Sequence, residues 1–236
     1  MDAYVNTVMY QYDENENLSA SYDTAGNVCF FTYDEKGNVT AVKSQTGAQS
    51  LYTYDENNRL IRNVDLLGGV TRYVYDEHGN VIRQITDGLG ADAYTYEGGK
   101  MTAHTDANGN TESCTYDIYG NVASRTDALG NTTEFTYDAA GNVLSVKTPA
   151  GITTIYTYDA IGQKIKGTVI GADGQTRTAS CTYDGAGNVL TETDTAGNVT
   201  SYQYDGMSNI TKILYPDGSS ESFAYDRAGN MTRQTD

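Results

Sequence analysis

Residues 115–137 read TYDIYGNVASRTDALGNTTEFTY, and this stretch decides the fold. A strand ends in Tyr116-Asp117, and a turn runs through Ile118-Tyr119-Gly120-Asn121. A second strand covers Val122 to Thr126, and a second turn is Asp127-Ala128-Leu129-Gly130-Asn131. The next strand then leads to Phe135-Thr136-Tyr137. Both turns have the form Asp-x-x-Gly-Asn. The Asp side chain accepts hydrogen bonds from the amides of its own turn, and Gly takes the left-handed position that side chains resist.

The unit repeats. Tyr-Asp or a close equivalent returns at Tyr12, Tyr33, Tyr54, Tyr75, Tyr96, Tyr116, Tyr137, Tyr158, Tyr183, Tyr204 and Tyr225. The steps are 21 residues except for one of 20 and one of 25. The short step follows Tyr96-Glu97-Gly98-Gly99, where the turn has lost a residue, and the long one holds an insertion around Gly171-Ala172-Asp173-Gly174. Internal repetition at a fixed period of this kind is the mark of a stacked array. Residues 1–236 therefore read as a single array of about eleven repeats, with the insertion near 170–175.

Before each repeat Tyr the residues alternate. Two positions ahead stand Tyr10, Phe31, Tyr52, Tyr73, Tyr94, Phe135, Tyr156, Tyr202 and Phe223, and the residue between is usually Thr or Gln. A period of two puts both aromatics on one sheet face and the polar residue on the other. Helix is excluded at this spacing. Stacked repeats would carry aromatic ladders, which stabilise a sheet through cross-strand pairs. Cys114 and Cys181 occupy the same aromatic position and read as buried thiols. Three repeats separate them, roughly 29 Å in a regular sheet, so no disulfide joins them.

Composition fits this reading. The chain has 21 Tyr, four Phe and no Trp, with 25 Gly and two Pro, so there is little aliphatic material for a thick core. Net charge is −16, which argues against a nucleic-acid partner, because phosphate binding needs clustered Lys and Arg. No apolar run reaches the ~20 residues of a membrane span, and the start MDAYVNTVMYQYD has no signal-peptide pattern.

Candidate chemistry is sparse. His78 falls in a first turn and His104 in a second strand, and both read as solvated surface histidines. No nucleophile elbow, P-loop or paired-Cys motif is present, so no catalytic, cofactor-binding or metal-binding residue is singled out. Asp13, Asp34, Asp55 and Asp76 would line up in one row, and Asp65, Asp87, Asp106 and Asp127 in another. Such rows of hard oxygen ligands raise calcium as an alternative. Equivalent turns nevertheless lie about 10 Å apart, too far to share an ion.

Tyr116-Asp117-Ile118-Tyr119-Gly120-Asn121 and Tyr183-Asp184-Gly185-Ala186-Gly187-Asn188 carry a resemblance to the Rhs or YD-repeat family, seen in the repeat regions of Rhs toxins, TcC-like shells and teneurins. Departures are local: Asn58-Arg59 and Ser208-Asn209 lack the first-turn Gly, and Gln163 replaces Asn. The resemblance implies an all-β fold in which tandem antiparallel hairpins form a single-layer curved or spiral sheet, part of an Rhs/YD shell. It also implies a non-catalytic, toxin-associated scaffold from a secreted or cell-surface parent protein. Its partners would be the rest of a longer shell and an enclosed C-terminal toxin or effector.

The core segment and variable toxin that follow the repeats in Rhs toxins have no counterpart in the sequence, and the array starts and ends mid-repeat. A section of a longer wall is expected, since 22 strands closed into a ring would span only roughly 34 Å, about the size of one small domain. The alternative function is a carbohydrate-binding or adhesive repeat module, with sugars stacked on Tyr rows. Open edge strands further imply self-association of the isolated chain.

Overall fold

The computed structural model describes residues 8–236. The stretch Asp2-Ala3-Tyr4-Val5-Asn6, which aligns in sequence with Asp194-Thr195-Ala196-Gly197-Asn198, lies outside the described residues. The described residues form 22 strands, from β1 (Met9–Tyr12) to β22 (Met231–Thr235) in chain order, and contain no helix long and apolar enough to cross a membrane. The expected all-β hairpin architecture is the one observed.

Two compact units are present, one running to Ser113 and the other starting at Cys114, so the division falls within β11 (Thr111–Tyr116). In the first unit each strand pairs antiparallel with the next, from β1 to the first half of β11. In the second unit the same holds from β12 (Val122–Thr126) to β22.

The alternation in sequence becomes an alternation of faces. In β13 (Thr132–Tyr137) Phe135 and Tyr137 are half-buried while Glu134 and Thr136 are exposed. The exposed face carries hydroxyl pairs between neighbouring strands, such as Thr136 with Ser145 at 2.7 Å and Thr182 with Thr191 at 2.7 Å. A single layer leaves nowhere for a thick core. Ala20 is the one buried hydrophobic residue among the described residues.

The YD hairpins whose register is described also contain an irregularity that the sequence pattern does not announce. Thr136 pairs with Ser145 and Tyr137 with Val143, leaving Leu144 as an extra residue in β14 (Val143–Lys147). The same slip precedes Tyr33, Tyr54, Tyr75, Tyr158, Tyr183, Tyr204 and Tyr225. A β-bulge of this type bends its strand and raises the local right-handed twist. It also resets parity, so that Val143 shares a face with Tyr137.

The insertion lengthens strands rather than a loop. β16 (Lys164–Ile170) and β17 (Thr176–Tyr183) pair from Lys166↔Ser180 to Ile170↔Thr176. The corresponding pairs of β14 and β15 (Thr153–Tyr158) run only from Ser145↔Ile155 to Lys147↔Thr153. Four extra residues thus enter as two on each strand, and an even number per strand preserves the faces. Within β16, Gly167 stands opposite Tyr156, whose ring lies 3.8 Å from the place a Cβ would occupy. The 20-residue step is a different solution: Glu97 pairs with Lys100 across Gly98 and Gly99, both at positive φ, as in a two-residue type I′ turn.

Candidate functional site

The repeated feature with the most developed geometry is the first turn together with its tyrosine. In the turn opened by Asp117, Gly120 N–H donates to the Asp117 carbonyl at 3.0 Å, and Asp117 N–H donates to the Asn121 carbonyl at 2.9 Å. Gly120 has φ of 90°, as the residue after a type I turn requires. Asp117 Oδ1 accepts the amides of Tyr119 and Asn121 at 2.9 Å each, and Oδ2 accepts the Asn121 side-chain amide at 3.0 Å. The Asn121 side chain and amide hold the Asp117 carboxyl below the usual carboxylate range. Asp34, Asp138, Asp184 and Asp226 are lowered by the same partners in their own turns.

Local departures in sequence have local structural answers. Asn58 and Ser208, which replace Gly, adopt φ of 63° and 64°, and Glu16 does the same at 63°. Gln163 keeps the backbone bond to Asp159 at 2.9 Å, but its longer side chain points toward Gly187 in the next repeat. The two prolines occupy second turns, Thr148-Pro149-Ala150-Gly151 and Tyr215-Pro216-Asp217-Gly218, at the position after the opening residue. That is where a fixed φ suits a type I turn.

In several units the repeat tyrosine does more than present a ring. Tyr137 donates its hydroxyl to the Val122 carbonyl at 2.9 Å, Tyr54 to Val39 at 3.0 Å, Tyr75 to Leu60 at 2.7 Å and Tyr204 to Val189 at 2.8 Å. Each acceptor lies 15 residues earlier, at the start of the preceding second strand. The ladder between β12 and β13 ends at Ser124↔Glu134, so the phenol serves a carbonyl beyond the last ladder pair. A polar group shielded from water needs such a partner. Across the insertion the bond survives with a separation of 19: Tyr183 donates to the Lys164 carbonyl at 3.0 Å. Sequence reasoning placed these tyrosines correctly but carried no signal for the acceptor.

First turns are also tied to one another in the first unit. Asn38 donates to both Asp34 and Asn58, Lys36 reaches the Glu56 carbonyl at 2.6 Å, and Arg59 reaches the Asp76 carbonyl at 3.1 Å. The Arg59 guanidinium also lies 4.9 Å from the centre of the Tyr75 ring.

Other residues singled out in sequence are dispersed. His78 is exposed at a turn, where its amide bonds to Asp76. His104 differs from the expected solvated histidine: it is half-buried and stacked on Tyr94 at 4.8 Å and 11°, with Nε2 3.5 Å from Asp92 Oδ1. Cross-strand pairing with Tyr94 causes this shielding. The three cysteines are free and only half-buried, because a single layer cannot enclose them. Cys181 donates to the Lys164 carbonyl at 3.0 Å, beside Tyr183. On the same face Tyr202 is pushed up to about 12 by its hydrogen bond to the Glu192 carboxylate. Among the described residues no three His, Cys, Asp or Glu side chains converge on a common point, and the carboxylates of the turn rows already bind their own turns.

These features can be set beside known proteins. The RHS Repeat family pattern matches residues 33–66, 75–111, 116–153, 137–176 and 183–220. No curated protein sequence matches the chain. Among solved structures, TcdB2-TccC3 is similar at 19% identity with a TM-score of 0.71, over 97% of this chain and 14% of that one. TcdB2-TccC3-Cdc42 is similar at 18% and 0.72 over the same shares, and the Tc holotoxin pore of Photorhabdus luminescens at 17% and 0.56, over 96% and 16%. The chain thus corresponds to about one-seventh of the length of the TcdB2-TccC3 structures, and the likeness is one of fold. With the family pattern covering most of the 236 residues and recurring in step with the Tyr-Asp turns, the chain belongs to the RHS repeat family.

Proposed function

We propose that this chain is a non-catalytic section of wall in an Rhs-type β-shell, whose full-length parent is secreted or surface-exposed and encloses or presents a C-terminal toxin or effector. The observation that carries this reading is the lateral hydroxyl bond of Tyr33, Tyr54, Tyr75, Tyr137, Tyr158 and Tyr204, which ties these units together without a core. Such a sheet is a barrier built by adding units. Its function lies in extent and closure, not in a pocket. The similar Tc holotoxin pore is, by its name, part of a toxin assembly.

The competing reading is a glycan-binding adhesive module. The hydroxyls of Tyr33, Tyr54, Tyr75, Tyr137, Tyr158 and Tyr204 already serve strand carbonyls, which favours the wall. Electron cryo-microscopy of the full-length parent tests the choice: density for this stretch is expected in one coil of a closed wall, and an extended, isolated stalk would overturn the proposal. A neutral-glycan array on the chain is expected to be blank, and a saturable hit followed by Tyr fluorescence would favour the rival. Light scattering of the chain alone is expected to show self-association through open edge strands.

A further inference from the structure

The exposed face of the first unit concentrates positive charge in a chain whose net charge is −16. Arg62 on β6 (Leu60–Val64) stands directly opposite Arg72 on β7 (Val70–Tyr75). Arg83 on β8 (Val81–Thr86) is opposite Val74, two residues along the same face from Arg72. Arginines that are 10 and 11 residues apart in sequence therefore become neighbours on three consecutive strands, spanning roughly 10 Å. Arg72 and Arg83 are exposed and Arg62 half-buried.

Like charges directly opposite one another on adjacent strands destabilise a sheet. Elsewhere charged strand residues face neutral or opposite partners, as Lys166 faces Ser180 and Glu134 faces Lys147. One carboxylate compensates the cluster: Asp87, in the turn after β8, binds the Arg72 guanidinium. Three guanidiniums against one carboxylate leave a local surplus of two positive charges. Around them lie Thr53 opposite Arg62, Ile85 opposite Arg72 and Ala93 opposite Arg83, none of which carries charge. The acidic strand residues Asp92 and Glu112 lie on the other face, with His104 and Tyr94.

We propose that Arg62, Arg72 and Arg83 form a binding site for tetrahedral oxyanions, the phosphate or sulfate groups of a polyanionic ligand. The guanidinium fork matches such oxygens in pairs, and Asp87 orients one fork while leaving the other two to the ligand. An anion held by Arg62 and Arg83, on either side of Arg72, offsets the repulsion among the three guanidiniums. The site stands on the chain's own residues and does not depend on the wall reading.

Calorimetric titration of the whole 236-residue chain with tripolyphosphate and with sucrose octasulfate tests it. Saturable binding is expected at low ionic strength, weakening as salt shortens the reach of the charges. The triple variant Arg62→Gln, Arg72→Gln, Arg83→Gln is expected to lose at least about tenfold in affinity, the scale of a lost charge-assisted contact. The variant Lys147→Gln, Lys166→Gln, Lys212→Gln changes net charge equally and is expected to stay within about twofold, since its charges lie elsewhere. Preference for one probe assigns phosphate or sulfate as the group recognised. Absence of saturable binding with both probes, or an equal loss in the lysine variant, overturns the proposal. Should the glutamine variant melt early, Arg→Lys at the three positions keeps the charge and removes the fork. It is then expected to bind more weakly than the native chain, and unchanged affinity would overturn the fork's role.

Discussion

The hairpin of β14 and β15 and the hairpin of β16 and β17 are neighbours built on the same grammar, yet the second is four residues longer. At the first-turn edge they are alike: Tyr158 bonds the Val143 carbonyl at 2.9 Å and Tyr183 bonds the Lys164 carbonyl at 3.0 Å. At the second-turn edge they diverge, with Thr148-Pro149-Ala150-Gly151 in one and Gly171-Ala172-Asp173-Gly174 in the other. Between these two hairpins the tied edge keeps step and the far edge absorbs the change. A strand can grow outward by pairs without disturbing its neighbours, because parity, not length, decides which side chains share a face.

The largest effect should come from breaking parity. Deleting Ile170 alone puts the following residues of this hairpin on the wrong face, and the melting midpoint is expected to fall by about 10 °C or more. Deleting Val169, Ile170, Thr176 and Arg177 together restores the common length and parity, and calorimetry should find a change of only a few degrees. A comparable fall for both would sink the idea that the far edge is free to vary.

Acid should act next, and through the turns at both edges. Asp117, Asp138 and Asp184 have carboxyls lowered by their turn partners, with the Asn side chain foremost. A group lowered on folding stabilises the fold above its unfolded value, near 4, and that contribution is lost as pH falls through the lower folded value. Thermal melts are therefore expected to be flat at neutral pH and to drop below about pH 4. Hydrogen exchange should show first-turn amides such as Asn121 and Asn142 losing protection before mid-strand amides. Uniform loss would contradict the role given to these turns.

Removing a single hydroxyl probes the tie directly. Tyr54→Phe leaves the Val39 carbonyl without its 3.0 Å donor, at an expected cost of about 1 kcal/mol in denaturant unfolding. Tyr119→Phe, at an exposed turn tip, should cost nothing measurable. Equal effects would remove the hydroxyl bond from the account.

The smallest change repairs a departure. Gln163→Asn shortens the side chain to the length that lets Asn142 reach Asp138 at 2.8 Å, and a gain of about 0.5 kcal/mol is expected. Loss of stability instead would mean that the contact of Gln163 toward Gly187 matters more than the turn bond.

Much of this molecule was legible in its residues. The Asp-x-x-Gly-Asn turns, the strands between them and the aromatic-in, threonine-out alternation are local, because turn chemistry and a two-residue period need only neighbours in the chain. The insertion was also visible, although it read as turn residues around Gly171. Strand pairing distributes the added length, and no local signal marks that. His104 and the cysteines were misjudged for a related reason: burial in a one-layer sheet depends on which residue stands opposite, as Tyr94 does for His104.

What the sequence by itself determined is therefore the unit: its turns, its strands and the side of the sheet each residue takes. Only the tertiary structure decided how units meet. The bulges of the YD hairpins, the strand carbonyls that receive tyrosines such as Tyr54 and Tyr137, and the gathering of Arg62, Arg72 and Arg83 are all set by register. Register is a long-range property. It joins residues whose separation in the chain carries no trace of their proximity, and it appears only when complete strands are laid side by side.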